Sequence, residues 1–310
     1  MYNIVITRVK NEQGYIESFV YHYLYLGFDF IYILINEDQN YVIENEKVKI
    51  IKHNFLGDEV ISKFFKTFLQ SLKKIDWVLH VDVDEYLFLS NKMNIKNYID
   101  KFATENTGQF LFKWAIIENY RSVLGQEYDL QIILDKSKIF SNKHYKSIFK
   151  LINLLEITNP HFVVVNNDTY LDNTKITNKL EGHIENDFSY DTSVLIHFHT
   201  RSLENVFIKS LTYDFNNMKE KIPNILQQNL SLDELIKNVT KLKMPFDHAK
   251  DIKLDKKKLQ YLKFNIDTTI NKKIIYKKFI SVCKKKNIEF RKIKKYIKLL
   301  ENKYAHIFVE

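Results

Sequence analysis

Three carboxylates fall within four residues at Asp82-Val83-Asp84-Glu85, directly after the apolar run Trp77-Val78-Leu79-His80-Val81. Carboxylates that close are costly to place together unless something positive sits among them. In an extended segment Asp82 and Asp84, two apart, project to one face. Hard oxygen donors on one face suit Mg²⁺ or Mn²⁺, which in turn can hold a diphosphate. The competing reading is a solvated acidic turn after a strand. Far downstream, His197-Phe198-His199 places two imidazoles on one strand face, a pattern that serves either a metal or a purely structural role. Arg8, Lys146 and Arg201 are candidate partners for an anionic group, with surface salt bridges as the alternative.

These residues need a frame, and hydrophobic periodicity supplies one. Residues 2–7 are apolar and β-branched and predict a first strand. The spacing of Ile16, Val20, Tyr23 and Leu24 predicts a helix over 13–26, with Asn11 as candidate cap and Gly27 as its stop. A second strand is predicted at 30–35, too apolar for one exposed face, as parallel strands usually are. It ends in the polar turn 36–40. A short strand at 48–52 follows, then a helix at 59–74 carrying Val60, Phe64, Phe68 and Leu72 on one stripe, then the strand 76–81.

Such an alternation implies parallel pairing with right-handed crossovers, and ligands in such sheets bind beyond the carboxyl ends of the strands. That places Thr7 and Arg8, Asn36 and Asp38, and Asp82 and Asp84 at one edge. Beyond residue 90, strands are expected at 110–117, 161–165 and 194–199. Residues 119–146 are polar and weakly periodic, suiting a substrate-facing insertion. From Leu203 onward the pattern is helical.

Composition narrows the classes. With 310 residues, 45% of them hydrophobic, the chain has ample core and is not a disordered segment. Six glycines leave no glycine-rich phosphate loop or dinucleotide fingerprint. The single Cys283 excludes an internal disulfide and a multi-cysteine zinc site. No signal peptide and no bilayer-spanning run is expected, which points to a cytoplasmic protein. Charge is uneven: residues 251–310 carry 18 Lys and Arg against 6 Asp and Glu.

Taken in order, several segments resemble glycosyltransferases of the GT-A type, in particular the family 2-like and family 92-like group. They are Lys10-Asn11-Glu12 and the helix end Leu26-Gly27-Phe28; the turn Asn36-Glu37-Asp38; Asp82-Val83-Asp84-Glu85-Tyr86; Lys146-Ser147-Ile148-Phe149; His161-Phe162; and His197-Phe198-His199-Thr200-Arg201-Ser202 with Lys209. The group's W-x-x-F-G-S segment appears as Trp114-Ala115-Ile116-Ile117-Glu118-Asn119, with its glycine lost and a carboxylate gained. The resemblance implies an α/β fold, a GT-A-like mixed and mainly parallel sheet flanked by helices. It covers a catalytic domain over 1–215, followed by a helical, Lys-rich region over 216–310.

What the resemblance implies for function is a metal-dependent hexosyltransferase. It would move a sugar from a nucleotide sugar, a UDP-sugar for preference, to a glycan or lipid-linked glycan acceptor, with Mn²⁺ or Mg²⁺ as cofactor and inversion at the anomeric carbon. Asp84 would bind the metal, Asp82 the metal or the donor ribose, and His197 the metal in competition with His199. Glu85 would orient the site, with a surface carboxylate as the alternative. Thr7, Arg8, Glu12, Asn36 and Asp38 would meet the nucleotide, and Lys146 and Arg201 the diphosphate or acceptor. Trp114 would stack on a sugar or sit in the core. An inverting reaction needs a carboxylate base, for which Glu118, Glu185 and Asp187 are candidates, Glu118 first.

Two other readings remain. A phosphatase of the haloacid-dehalogenase type would use Asp82 as nucleophile, though the residues after Asp84 do not suit it. A non-catalytic, membrane-peripheral module would rest on the tail, where Phe290, Ile293, Ile297, Leu300 and Tyr304 form one stripe among lysines. That stripe fits either an anionic membrane surface or packing against the body. No nucleic-acid recognition module is visible.

Overall fold

The computed structural model describes residues 1–9, 12, 14–36, 40–53, 58–118, 139–159, 161–172, 174–176 and 190–200, together with isolated helical positions at 234, 238, 277, 280, 281 and 284. The predicted tail stripe and the residues Lys10, Asn11, Asp38, Glu185, Asp187, Arg201 and Lys209 lie outside them. The chain forms two compact units. One comprises Met1–Ile116, Ile139–His197 and Asp251–Asp267; the other comprises Ile117–Lys138, Phe198–Lys250 and Thr268–Glu310.

The first unit is mixed α/β. Strand β1 (Tyr2–Val9), helix α1 (Ile16–Tyr25), strands β2 (Phe30–Ile35) and β3 (Val48–Lys52), helix α2 (Asp58–Ser71) and strand β4 (Ile75–His80) follow one another. The pairs β1/β2, β2/β3 and β1/β4 are all parallel. Strand β5 (Glu85–Leu89) and helix α3 (Ile95–Phe102) precede β6 (Thr107–Glu118) and β7 (Ile139–Lys150). Shorter strands β8 (Leu154–Asn159), β9 (Phe162–Val165), β10 (Asp168–Leu171) and β11 (Thr174–Ile176) lead to β12 (Ser193–Thr200). The main sheet runs β11-β10-β6-β7-β4-β1-β2-β3, with β5 and β12 paired beside it. Strand β7 joins β4 antiparallel, so a largely parallel left half meets a mixed right half.

Apolar strands make this order stable. Residues Val5, Ile31, Ile33, Val78 and Leu79 have no exposed surface, as expected for strands covered on both faces. One cluster joins Ile4, Ile6 and Val78 to Phe65 and Leu69 of α2 and to Leu154, Ile157 and Val163 of the β8–β9 hairpin. The buried stripe of α2 is therefore Phe65 and Leu69, with Phe64, Phe68 and Leu72 only half-buried. It is rotated about one residue from the stripe expected, because the hairpin covers the helix from the side.

Helix α1 starts at Ile16, behind Tyr15, which makes no side-chain cap; the cap expected at Asn11 lies outside the described residues. Gly27 stops the helix with φ +94°, and a Cβ there would meet Asn94 at 3.3 Å. Strand β7 corrects the polar insertion expected over 119–146: residues 139–146 are strand. Four consecutive polar residues, Ser141-Asn142-Lys143-His144, leave that part of the strand without an apolar alternation. Among the described residues no helix is long and apolar enough to cross a membrane.

Candidate active site

Strand β4 lies on one side of β1 while β2 and β3 lie on the other. The direction of winding thus reverses between β1 and β4, and the carboxyl ends there open a crevice of the kind that takes ligands in such sheets. The ends are level. Val9 pairs with Ile35, Ile6 pairs with His80, and Val81 N donates to Ile6 O at 3.3 Å. Thr7 and Arg8, Asn36, and Asp82 accordingly meet at one edge. Thr7 is fully buried, and its Oγ1 has no hydrogen-bond partner among the described residues. Arg8 is exposed and Asn36 half-buried. Glu12 is held through its backbone, its N–H donating to Tyr41 Oη at 3.2 Å.

The acidic segment is a closed turn rather than an extended strand. Glu85 N donates to Asp82 O at 3.0 Å, and Asp82 N donates to Glu85 Oε2 at 2.8 Å. Asp82 and Asp84 therefore do not share a strand face, and they face different partners. Lys146 Nζ, reaching in from β7, donates to Asp82 Oδ2 at 2.8 Å and lies 3.5 Å from Glu85 Oε2. Asp84 Oδ1 instead lies 3.6 Å from His197 Nε2. Strand β12 brings that imidazole in, because its antiparallel register sets His197 opposite Glu85.

Burial and charge set the protonation states. Burial opposes charge on Asp82, but the Lys146 ammonium outweighs it and holds Asp82 at about 2. Burial, helped by the charges of Asp82 and Asp84, pushes Glu85 well above the usual carboxylate range. Burial alone would lower Lys146; the charges of Asp82 and Glu85 raise it above its ordinary value. Glu85 has no exposed surface, which removes the surface-carboxylate alternative. The salt bridge made by Lys146 is likewise an interior one.

Tyr23, expected on the packing stripe of the first helix, and its neighbour His22 hold this turn from behind. Tyr23 Oη donates to Glu85 O at 2.8 Å and accepts from Leu87 N at 3.3 Å. His22 Nε2 donates to Leu87 O at 2.9 Å. Both come from the buried face of α1, so helix and strand β5 are pinned together at the acidic turn. The signal available in the sequence was an imidazole and a phenol on a helix face that must be buried.

The residues at this turn that could hold a divalent cation are Asp84 and His197. No group of three or more His, Cys, Asp or Glu positioned for a metal occurs among the described residues. A small hard cation, however, keeps several waters and is commonly held by one or two carboxylates together with substrate phosphates. The facing pair of Asp84 and His197 offers that kind of partial set, while Asp82 is engaged by Lys146. The side chain of Glu118, at the end of β6, lies outside the described residues.

No protein-family model and no curated protein matches the chain. Among solved structures, an active-site mutant of LgtC superposes with a TM-score of 0.25 at 14% identity, covering 48% of this chain and 57% of that one. The galactosyltransferase LgtC in complex with donor and acceptor sugar analogues gives 0.24 at 14% identity, over 48% and 58%. The chain thus spans a little over half the length of the structures it matches. Superpositions that shallow define neither fold nor function.

Proposed function

We propose that this chain is a glycosyltransferase that moves a sugar from a nucleotide sugar, a UDP-sugar for preference, to a glycan or glycolipid acceptor. The observation that carries the reading is the pairing of Asp84 with His197 at 3.6 Å, at the carboxyl edge where the sheet reverses its winding. The ordered motifs that resemble GT-A transferases support it independently.

In this reading Thr7, Arg8 and Asn36, at the ends of β1 and β2, receive the nucleoside. Asp84 and His197 hold a divalent cation, Mn²⁺ or Mg²⁺. A cation bound there stabilises the negative charge that grows on the departing diphosphate. Lys146 keeps Asp82 ionised and Glu85 in place, so that the turn is formed before any ligand arrives. Displacement with inversion calls for a carboxylate to take the acceptor proton; Glu118 is assigned that task. The Lys-rich segment 284–304 is assigned to an anionic membrane surface carrying the acceptor, on the cytoplasmic side.

The test is hydrolysis or transfer from UDP-sugars with Mn²⁺ present. Asp84→Ala should abolish turnover and weaken UDP–Mn²⁺ binding while the protein stays folded. Undiminished turnover in that variant would sink the site assignment. Release of phosphate from aryl phosphates, lost in Asp82→Asn, would move the reading to a phosphatase.

A further inference from the structure

Trp114 on β6 is surrounded by imidazoles that reach it from separate parts of the chain. Its ring centroid lies 4.3 Å from that of His197 on β12, 4.9 Å from His161 in the turn before β9, and 5.2 Å from His144 on β7. His144 and His161 are themselves 5.3 Å apart. Trp114 is only 6% exposed, whereas His144 and His161 are half-buried, so the cluster has a solvent-facing side. The backbone beneath is fixed: Tyr190 Oη donates to Trp114 O at 2.8 Å. The imidazoles are oriented through Nδ1, which lies 2.6 Å from Asn142 Oδ1 in His144 and 3.4 Å from Tyr145 O in His161.

Such a cluster is poorly explained as core. An aliphatic core would need no imidazoles, and the indole Nε1 of Trp114 is buried without an acceptor among the described residues, a costly state for a donor. It is also poorly explained as a metal centre, since no such grouping of ligands occurs among the described residues. Burial, reinforced by the Lys146 charge, holds His161 at about 3, so that ring is neutral near pH 7. A flat indole beside the neutral His161 ring, with hydrogen-bonding edges around them, matches a ligand that has an apolar face and a rim of hydroxyls.

Position supports the same ligand. His144 and Lys146 are two apart on β7 and share a strand face, and Lys146 is the partner of Asp82 at 2.8 Å. The cluster therefore lies beyond the acidic turn, on the side away from β1 and β2. His197 links the two, 3.6 Å from Asp84 and 4.3 Å from the Trp114 ring. From Thr7 across to Trp114, the edge runs in the order nucleoside side, acidic turn, ring cluster.

We propose that Trp114, His144 and His161 form a binding site for a neutral pyranose ring, next to the Asp84–His197 pair. The proposal rests on the transferase reading for the sugar's role in a reaction; the binding site itself is tested without it.

The experiment uses the full chain carrying Trp77→Phe, which leaves Trp114 as the only indole. Methyl glycosides of glucose, galactose, mannose and N-acetylglucosamine are titrated against its fluorescence, and UDP with Mn²⁺ is titrated separately by calorimetry. At least one glycoside should shift the emission saturably. Adding His144→Gln and His161→Gln should weaken that glycoside about tenfold while changing UDP–Mn²⁺ affinity by less than about twofold. Equal urea midpoints for variant and parent establish that the fold is intact, and His161→Gln alone serves if the double variant unfolds. The proposal is overturned if none of these glycosides perturbs Trp114. It is equally overturned if UDP saturates the shift and the histidine variants weaken UDP, because the rings then hold the nucleotide. A glycoside that binds while UDP–Mn²⁺ does not would leave this site standing and remove the transferase reading.

Discussion

Lys146 and Asp82, 64 residues apart, form an ion pair of 2.8 Å in which the lysine side chain has no exposed surface and the aspartate is 46% exposed. The ammonium is thus committed to the interior, while the carboxylate it holds stays at the rim of the crevice. Glu85, fully buried at 3.5 Å from the same nitrogen, depends on Lys146 more than Asp82 does, since Asp82 retains access to water.

Removing that ammonium should therefore be felt through Glu85. Lys146→Met is expected to cost roughly 3 kcal/mol in urea unfolding, the range for breaking a buried pair from one side. Adding Glu85→Gln should recover more of the loss as rising pH ionises the buried Glu85, because a neutral amide needs no counter-charge. A double variant as unstable as the sum of the single variants would show that the two residues are not coupled.

The division between Asp82 and Asp84 predicts unequal roles. Asp84→Asn should weaken Mn²⁺ binding in the presence of UDP more than Asp82→Asn does. His197→Ala should weaken it by about 10–100-fold. Calorimetry or the paramagnetic signal of free Mn²⁺ reads both. The opposite ranking would move the cation to Asp82.

Tyr23→Phe removes a buried hydroxyl that serves both Glu85 O and Leu87 N. A loss of about 1–2 kcal/mol is expected, since a backbone donor and acceptor are left without it. Because the carbonyl belongs to the acidic turn, UDP–Mn²⁺ affinity should fall as well. Unchanged stability would mean that water replaces the hydroxyl.

Acid should destabilise the fold well above the carboxylate range. Burial lowers His22 from 6.5 to about 4, and burial with the Lys146 charge lowers His80 and His161 to about 3. Below pH 6.5 the unfolded chain takes up protons that the folded one refuses, so this stability is complete above 6.5 and is lost as pH falls toward 4 and below. Each histidine contributes a slope of up to about 1.4 kcal/mol per pH unit. Urea midpoints measured from pH 7 down to 5 should fall, and His22→Gln, which keeps a donor for Leu87 O, should flatten the decline.

The left half of the sheet was legible in the sequence because its signal is local. Continuous apolar runs mark β1, β2 and β4, helical spacing marks α1 and α2, and the polar residues after each strand mark one carboxyl edge. Strand β5 went unread because its first residue, Glu85, belongs equally to the acidic turn, and α3 because its buried stripe of Ile95, Tyr98 and Ile99 is confined to eight residues. What only the tertiary structure decided are the partners across the site. Lys146 reaches Asp82 because β7 lies beside β4, His197 meets Asp84 because β12 pairs with β5 in one register, and three imidazoles gather at Trp114 from separate segments. Periodicity specifies which face of an element is buried, but strand order and register specify what that face meets. Those depend on the packing of the whole sheet, which no short stretch of residues encodes.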